Sequence, residues 1–233
     1  GALRNFEDSW SGDSRWVAYS RGLESRQDAV FLYDTQSGQG HQVTSGFVSC
    51  ASPVFDPEGK YLYFLSDRSF RPVYSDLDRT WIYPNTTNIV AVPLRADVSS
   101  PLAPRNDVEE NGDDKEKNGG ENGKDNGEED KKDDEGKEKA EPVTIDLEGF
   151  EKRAVVLPPT AGNYTGLGAV KGKVLYHRRP RTGSGDESSP IVFWDLEDRE
   201  EKTIVEDADG YGVSADGKKM LVAATGKVAI VDV

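Results

Sequence analysis

Short polar clusters that end in a turn alternate along this chain with brief runs that are apolar on both faces. The clearest case is Asp56-Pro57-Glu58-Gly59-Lys60 followed by Tyr61-Leu62-Tyr63-Phe64-Leu65-Ser66. The same arrangement appears as Ser11-Gly12-Asp13-Ser14-Arg15 before Trp16-Val17-Ala18-Tyr19-Ser20, and as Ser214-Ala215-Asp216-Gly217-Lys218 before Lys219-Met220-Leu221-Val222-Ala223. A worn copy is Lys171-Gly172 before Lys173-Val174-Leu175-Tyr176. An acidic residue near a glycine is turn chemistry, because the carboxylate bonds nearby backbone and glycine accepts positive φ without a Cβ clash. The apolar residues that follow have the length and β-rich composition of strands. No amphipathic stretch of helical period and useful length is present. A turn-plus-strand unit that recurs 45 positions on, from Ser11 to Asp56, predicts a radial array of small sheets. The fold expected is all-β: β-propeller blades of four antiparallel strands, about four blades in number.

Taken in order, residues 5–45 make one repeat, with strands at Ser9-Trp10-Ser11, Trp16–Ser20, Ala29–Asp34 and His41–Thr44. Residues 46–103 make a second. Its loop after Ser66 is enlarged and aromatic, and its third strand is Ile89–Leu94, where Pro93 has to fall at a strand end or edge. Residues 142–203 read as a third repeat opened by Val143–Leu147 and Arg153–Leu157. Residues 204–233 read as a compact fourth that stops one strand short of a full blade. Between the second and third, residues 104–141 are Asp, Glu, Lys, Asn and Gly with almost no apolar residue, too little to offset ordering entropy, and are expected to be disordered. The domain division is therefore blades over 1–103, an acidic insert over 104–141, and blades of the same domain over 142–233.

The insert changes how the charge is read. The formal net charge is −14, but residues 107–141 hold 16 acidic residues against 7 lysines, so the remainder carries only −5. With no basic stripe to release counterions, nucleic acid is disfavoured as a partner. No apolar run approaches 18 residues, so no membrane span is expected. Residues 1–30 lack a basic start followed by an apolar core, so no signal peptide is visible.

Candidate chemistry is sparse. The single cysteine, Cys50, sits among Val48, Ser49 and Ala51 and reads as a small buried hydrophobe. Gly212-Val213-Ser214-Ala215-Asp216 lacks the second glycine of a nucleophile elbow, so Ser214 reads as the turn residue matching Ser11. His41 and His177 have no partner at ligand spacing, so no metal site and no cofactor are expected. Asn85-Thr86-Thr87 and Asn163-Tyr164-Thr165 match the glycosylation pattern, which is short and common. The loop bearing Phe70, Tyr74, Trp81 and Tyr83 has two readings: core filling beneath a long loop, or the lining of an entrance or a contact with a neighbouring domain. The basic cluster Arg178-Arg179-Pro180-Arg181 also has two: a solvated loop, or a positive point at a channel rim for peptide carboxylates or an acidic neighbour. The candidate binding set is thus Phe70, Tyr74, Trp81, Tyr83, Arg178, Arg179 and Arg181, with no catalytic residue.

The repeats resemble β-propellers of the TolB/tricorn type, and three stretches narrow the resemblance to the tricorn protease family. They are Phe64-Leu65-Ser66-Asp67-Arg68 followed by Phe70-Arg71-Pro72; Ile145-Asp146-Leu147-Glu148-Gly149-Phe150-Glu151-Lys152-Arg153 followed by Leu157-Pro158; and Ala161-Gly162-Asn163-Tyr164 before Gly166-Leu167. The resemblance implies a parent with two propellers, a PDZ-like domain and a serine-peptidase domain, this chain matching later blades of the second, seven-bladed propeller. It implies a non-catalytic role in gating and scaffolding the passage of peptide substrates or products. The implied partners are the remaining blades and the PDZ and peptidase domains, with a possible homo-oligomer, and the implied compartment is the cytoplasm, or the periplasm if a signal peptide precedes. The family's Ser/His motifs have no counterpart here, so no catalytic residue is carried over. The alternative is a TolB-like protein-interaction propeller unrelated to a peptidase.

Overall fold

The turn that recurs in the sequence is built from the same hydrogen bonds each time it appears. A computed structural model describes residues 7–105 and 141–233. At the first turn the Ser11 hydroxyl donates to Asp13 (2.6 Å) and accepts from the Trp16 amide (2.8 Å), while Asp13 also accepts from the Arg15 amide (3.1 Å). The last turn repeats this set with Ser214, Asp216, Lys219 and Lys218 at 2.6, 3.0 and 3.1 Å. In the second, Asp56 takes the serine position and accepts from the Lys60 amide at 3.1 Å. The fourth residue of each turn has positive φ: Ser14 at 60°, Gly59 at 67° and Gly217 at 70°. Glycine meets that demand without a Cβ clash, and Ser14 meets it with strain. The third repeat replaces the whole device by the tight Lys171-Gly172 link.

The first blade is β1 (Asp8–Trp10), β2 (Trp16–Gly22), β3 (Asp28–Asp34) and β4 (Gln39–Gln42), antiparallel in that order. The second starts with β5 (Cys50–Phe55) and β6 (Tyr61–Ser66), carries a two-stranded hairpin of β7 (Val73–Ser75) and β8 (Thr80–Ile82), and resumes with β9 (Asn88–Pro93). Pro93 is the last residue of β9, where a missing N–H costs least. The fourth strand of this blade is β10 (Val155–Val156), pairing Val155 with Ala91 and Val156 with Val90. The third blade is β11 (Asn163–Val170), β12 (Lys173–Arg179), β13 (Ile191–Asp195) and β14 (Glu201–Val205). A three-stranded sheet of β15 (Gly210–Val213), β16 (Lys219–Ala224) and β17 (Lys227–Asp232) follows. These are β-propeller blades, as the repeat predicts.

The strand β10 corrects the expected start of the third repeat. Residues 143–157 complete the second blade instead of opening the third, because β9 has a free edge that Val155 and Val156 satisfy. Val143, Ile145 and Phe150 bury their side chains between blades one and two. Arg153 holds this segment in place by donating to the Pro93 carbonyl at 3.1 Å and the Glu148 carbonyl at 2.9 Å. Its return past the insert is fixed at the first turn, where the Val143 amide donates to Asp13 (2.7 Å) and the Trp16 indole donates to the Val143 carbonyl (3.1 Å). The expected disorder of 104–141 falls almost wholly on residues outside the described set.

Three apolar cores join the four sheets in a row. Trp16, Leu32, Phe64 and Val92 lie in the first, Tyr63, Ile89, Tyr176 and Trp194 in the second, and Leu175, Phe193, Met220 and Val222 in the third. Among the described residues no fourth core joins the last sheet to the first. The outward face of the last sheet is instead open, with Leu221, Val228 and Ile230 at 51%, 67% and 71% exposure. The first strands β1, β5, β11 and β15 touch one another in succession, so they mark the axis side of the row. No described helix is long and apolar enough to cross a membrane.

Candidate functional site

Three connections meet at one end of blades two and three. They are the long loop between β6 and β9, the link from β10 to β11, and the loop between β12 and β13. Asn85, in the left-handed region at φ 55°, accepts from the Thr182 amide at 2.9 Å. Thr87 and Gly162 exchange both backbone hydrogen bonds, at 3.1 and 2.9 Å. Asn163 donates from its amide to the Pro180 carbonyl at 2.8 Å. Arg181 donates to the Ala161 carbonyl. The aromatic loop and the arginine loop, 97 positions apart at Asn85 and Thr182, are thereby tied into one rim. Both asparagines of the glycosylation patterns are spent on this framework.

A cleft of about 640 Å³ opens in that rim. One wall is Pro158 and Pro159, and Tyr164 and Trp194 give it flat aromatic surfaces; Arg178, Arg179 and Arg181 line the other side. Arg178 forms an ion pair with Glu201, which also accepts from the Tyr176 hydroxyl at 2.5 Å. Burial pushes the Tyr176 phenol above its usual range, and the hydrogen bond to Glu201 adds to the effect. Burial raises Tyr164 as well. Among the described residues, neither Arg179 nor Arg181 makes an ion pair with a carboxylate. The structure thus brings the three expected arginines together and adds Trp194, Tyr164 and the Pro158-Pro159 wall. Sequence spacing does not single these out. The consecutive prolines were the available signal, since they mark a rigid connection that cannot join a sheet.

The aromatic loop is not core filling. Tyr74 and Trp81 are cross-strand partners in the β7–β8 hairpin, with rings edge to face at 5.3 Å. Phe70, Tyr74, Trp81 and Tyr83 are 61%, 46%, 59% and 55% exposed. A three-residue strand pair cannot bury both of its faces, so the rings stand in solvent.

The remaining candidates are structural. Cys50 is buried beside Ser66, and burial pushes its thiol up, the opposite of nucleophile activation. His177 is buried with Nε2 3.0 Å from the Ser189 carbonyl. Ser214 is the turn residue. On the axis side are two clefts of about 250 and 340 Å³, lined by Ala51, Ser52, Thr165 and Gly166 together with the larger Leu65, Tyr164, Val54 and Leu167, with Glu7 in both.

Comparison with known proteins agrees with this architecture. The family described as tricorn protease second beta propeller domain matches residues 3–233. A tricorn protease homolog 1 from Streptomyces coelicolor is 28% identical over 233 residues, covering 95% of this chain and 20% of its own length. The crystal structure of the tricorn protease superposes with a TM-score of 0.70 at 19% identity, covering 97% of this chain and 21% of that one. TolB from Acinetobacter baumannii superposes at 0.53 with 15% identity, over 97% of this chain and 40% of that one. The chain spans about a fifth of the length of the curated relative it matches. Four sheets in a row, the turn that three of them share and the match over residues 3–233 together place this chain in the family of tricorn protease second β-propeller domains.

Proposed function

We propose that this chain is the non-catalytic propeller part of a tricorn-type serine peptidase that hydrolyses oligopeptides, and that it gates and scaffolds the passage of peptide substrates or products. The observation that carries the reading is the axis side of the row. There two clefts of about 250 and 340 Å³ run along β5 and β11, where the small residues Ala51, Ser52, Thr165 and Gly166 leave room between the larger Tyr164, Val54 and Leu167, with Glu7 beside them. The open face of the last sheet supports a further blade of a seven-bladed ring beside it, with PDZ and peptidase domains beyond. Passage needs width, which the small residues of β5 and β11 provide; chemistry needs an activated nucleophile next to a base.

Two measurements test this. Incubated with a pool of fluorogenic oligopeptides, the chain is expected to give no turnover. Turnover that survives repurification and vanishes on changing one of its serines would refute a non-catalytic role. In a protein that joins this chain to its peptidase domain, Thr165→Trp narrows the axis side at an exposed position. It is expected to slow cleavage of long peptides more than of dipeptide esters; equal slowing of both refutes gating. A second reading, an interaction propeller of the TolB kind, is favoured by the exposed rings of the β7–β8 hairpin. It is distinguished by loss of partner capture, with peptide passage unchanged, when Trp81 and Tyr74 are replaced by serine.

A further inference from the structure

The rim cleft between blades two and three has spare hydrogen-bonding capacity that is mostly on its arginine donors. Arg179 has a single long contact, 3.5 Å to the Asp209 carbonyl, and no ion pair among the described residues. Arg181 donates to the Ala161 carbonyl and keeps most of its guanidinium free. Trp194, 6% exposed, contributes only a small patch of ring surface to the lining, and its indole N–H is enclosed in the protein. The polar acceptors nearby are already used: Glu201 by Arg178 and Tyr176, and the Thr160 carbonyl by the Tyr164 hydroxyl. Asp186 is the one unpaired carboxylate on the lining, and it sits on the exposed loop. Two guanidinium groups with free donors outweigh that one carboxylate and select an acceptor-rich, anionic occupant.

The walls narrow the class. Pro158, Pro159, Pro180 and Pro190 line the cleft and have no N–H to give, which disfavours an occupant that joins as an added strand. The favoured occupant is held by its side chains and by stacking on Tyr164. A volume of about 640 Å³ has room for a short peptide segment and is too small for a folded partner.

We propose that this cleft is a docking site for an extended acidic peptide segment, whose side-chain carboxylates are taken by Arg179 and Arg181 with its apolar groups against Tyr164 and the prolines. The site lies beside the axis-side path and is separate from it; Tyr164 borders both. The proposal goes beyond the passage role and does not need a peptidase to be attached.

The test uses a fluorescein-labelled, C-terminally amidated hexapeptide rich in glutamate, titrated by anisotropy against the 233-residue chain. The same titration on a form with residues 106–140 replaced by a short Gly/Ser linker keeps the chain's own acidic run from competing. Three comparison probes are the glutamine version of the peptide, a neutral peptide with a free C-terminus, and inorganic phosphate as competitor. Saturable binding of the acidic peptide is expected, with the glutamine version about tenfold weaker or worse and a marked loss between 0.05 and 0.5 M salt, concentrations that span roughly a threefold change in screening length. Arg179→Ala combined with Arg181→Ala is expected to weaken binding by about tenfold or more, Arg181→Lys by less, since a point charge replaces a fork. Circular dichroism and melting of each variant confirm that the blades remain folded. Equal binding of the glutamine peptide, or of the double arginine variant once shown to be folded, overturns the proposal. A neutral peptide with a free C-terminus that binds as tightly assigns the carboxylate to the chain end and also overturns it, as does full displacement by phosphate at concentrations equal to the peptide's.

Discussion

Ile230 and Met220 sit on neighbouring strands of the same sheet, facing opposite ways, and so report whether the row of blades is open. Met220 is fully buried against the third blade, while Ile230, paired across the strands with Leu221, is 71% exposed. Complete burial of an aliphatic side chain is worth about 1.5–3 kcal/mol, and less than a third of that area is buried here. Ile230→Lys should therefore cost at most about 1 kcal/mol. Met220→Ala, which leaves a cavity in a packed core, should cost about 2–5 kcal/mol. If the last sheet instead closed against the first, the lysine would carry an unpaired charge into an apolar interface at a cost of about 3–5 kcal/mol. Urea unfolding at low protein concentration measures both variants. Light scattering over a concentration series adds an independent reading: the parent should associate through this face, and Val228→Lys with Ile230→Lys should suppress the association. An Ile230→Lys loss above about 3 kcal/mol, or a parent that is monodisperse and silent to apolar dyes, refutes the open row.

Two further outcomes follow from the turns and from the buried histidine. Asp13 and Asp216 make the same two local bonds, but only Asp13 also accepts from Val143, so Asp13→Ala should destabilise by about 1 kcal/mol more than Asp216→Ala in thermal melts, and equal losses would deny the tie a role. Burial, aided by the nearby Arg179 charge, lowers the His177 pKa below 6.5; the unfolded chain then binds the proton more readily, so its stability contribution is complete above pH 6.5 and is lost as pH falls through 6.5 toward the folded value, by up to about 1.4 kcal/mol per pH unit, and His177→Gln should flatten that slope.

Much of the fold is legible because each blade is specified locally. The Ser11, Asp56 and Ser214 turns announce themselves through an acid, a positive-φ position and an apolar run, and these determine two strands at once. The third strands are as plain, since β3, β9 and β13 are apolar on both faces. What local pattern could not supply is partnership over distance. Val155 and Val156 look like any short apolar pair, and only the free edge of β9, some sixty positions earlier, decides where they go. The aromatic hairpin misleads for a related reason: Tyr74 and Trp81 have the composition of a core, but a strand pair this short has no second layer to cover it. The arginine cluster was visible, whereas its cleft was not, because the cleft exists only once Asn85 and Thr182 have met.

The stitching of the second blade across the insert has a consequence for the order of synthesis. Leu94 belongs to the core between blades one and two, but that core also needs Val143, Ile145 and Phe150. At about 5–20 residues per second of ribosomal elongation, the stretch from Leu94 to Phe150 takes about 3–11 s to make. Through that interval the emerging chain holds Trp16, Phe64 and Val92 in a partly covered state, with the β9 edge unpaired. A strongly acidic run is what leaves the ribosome during the wait. Its like charges repel other nascent chains at the time when an uncovered edge is most open to pairing with them.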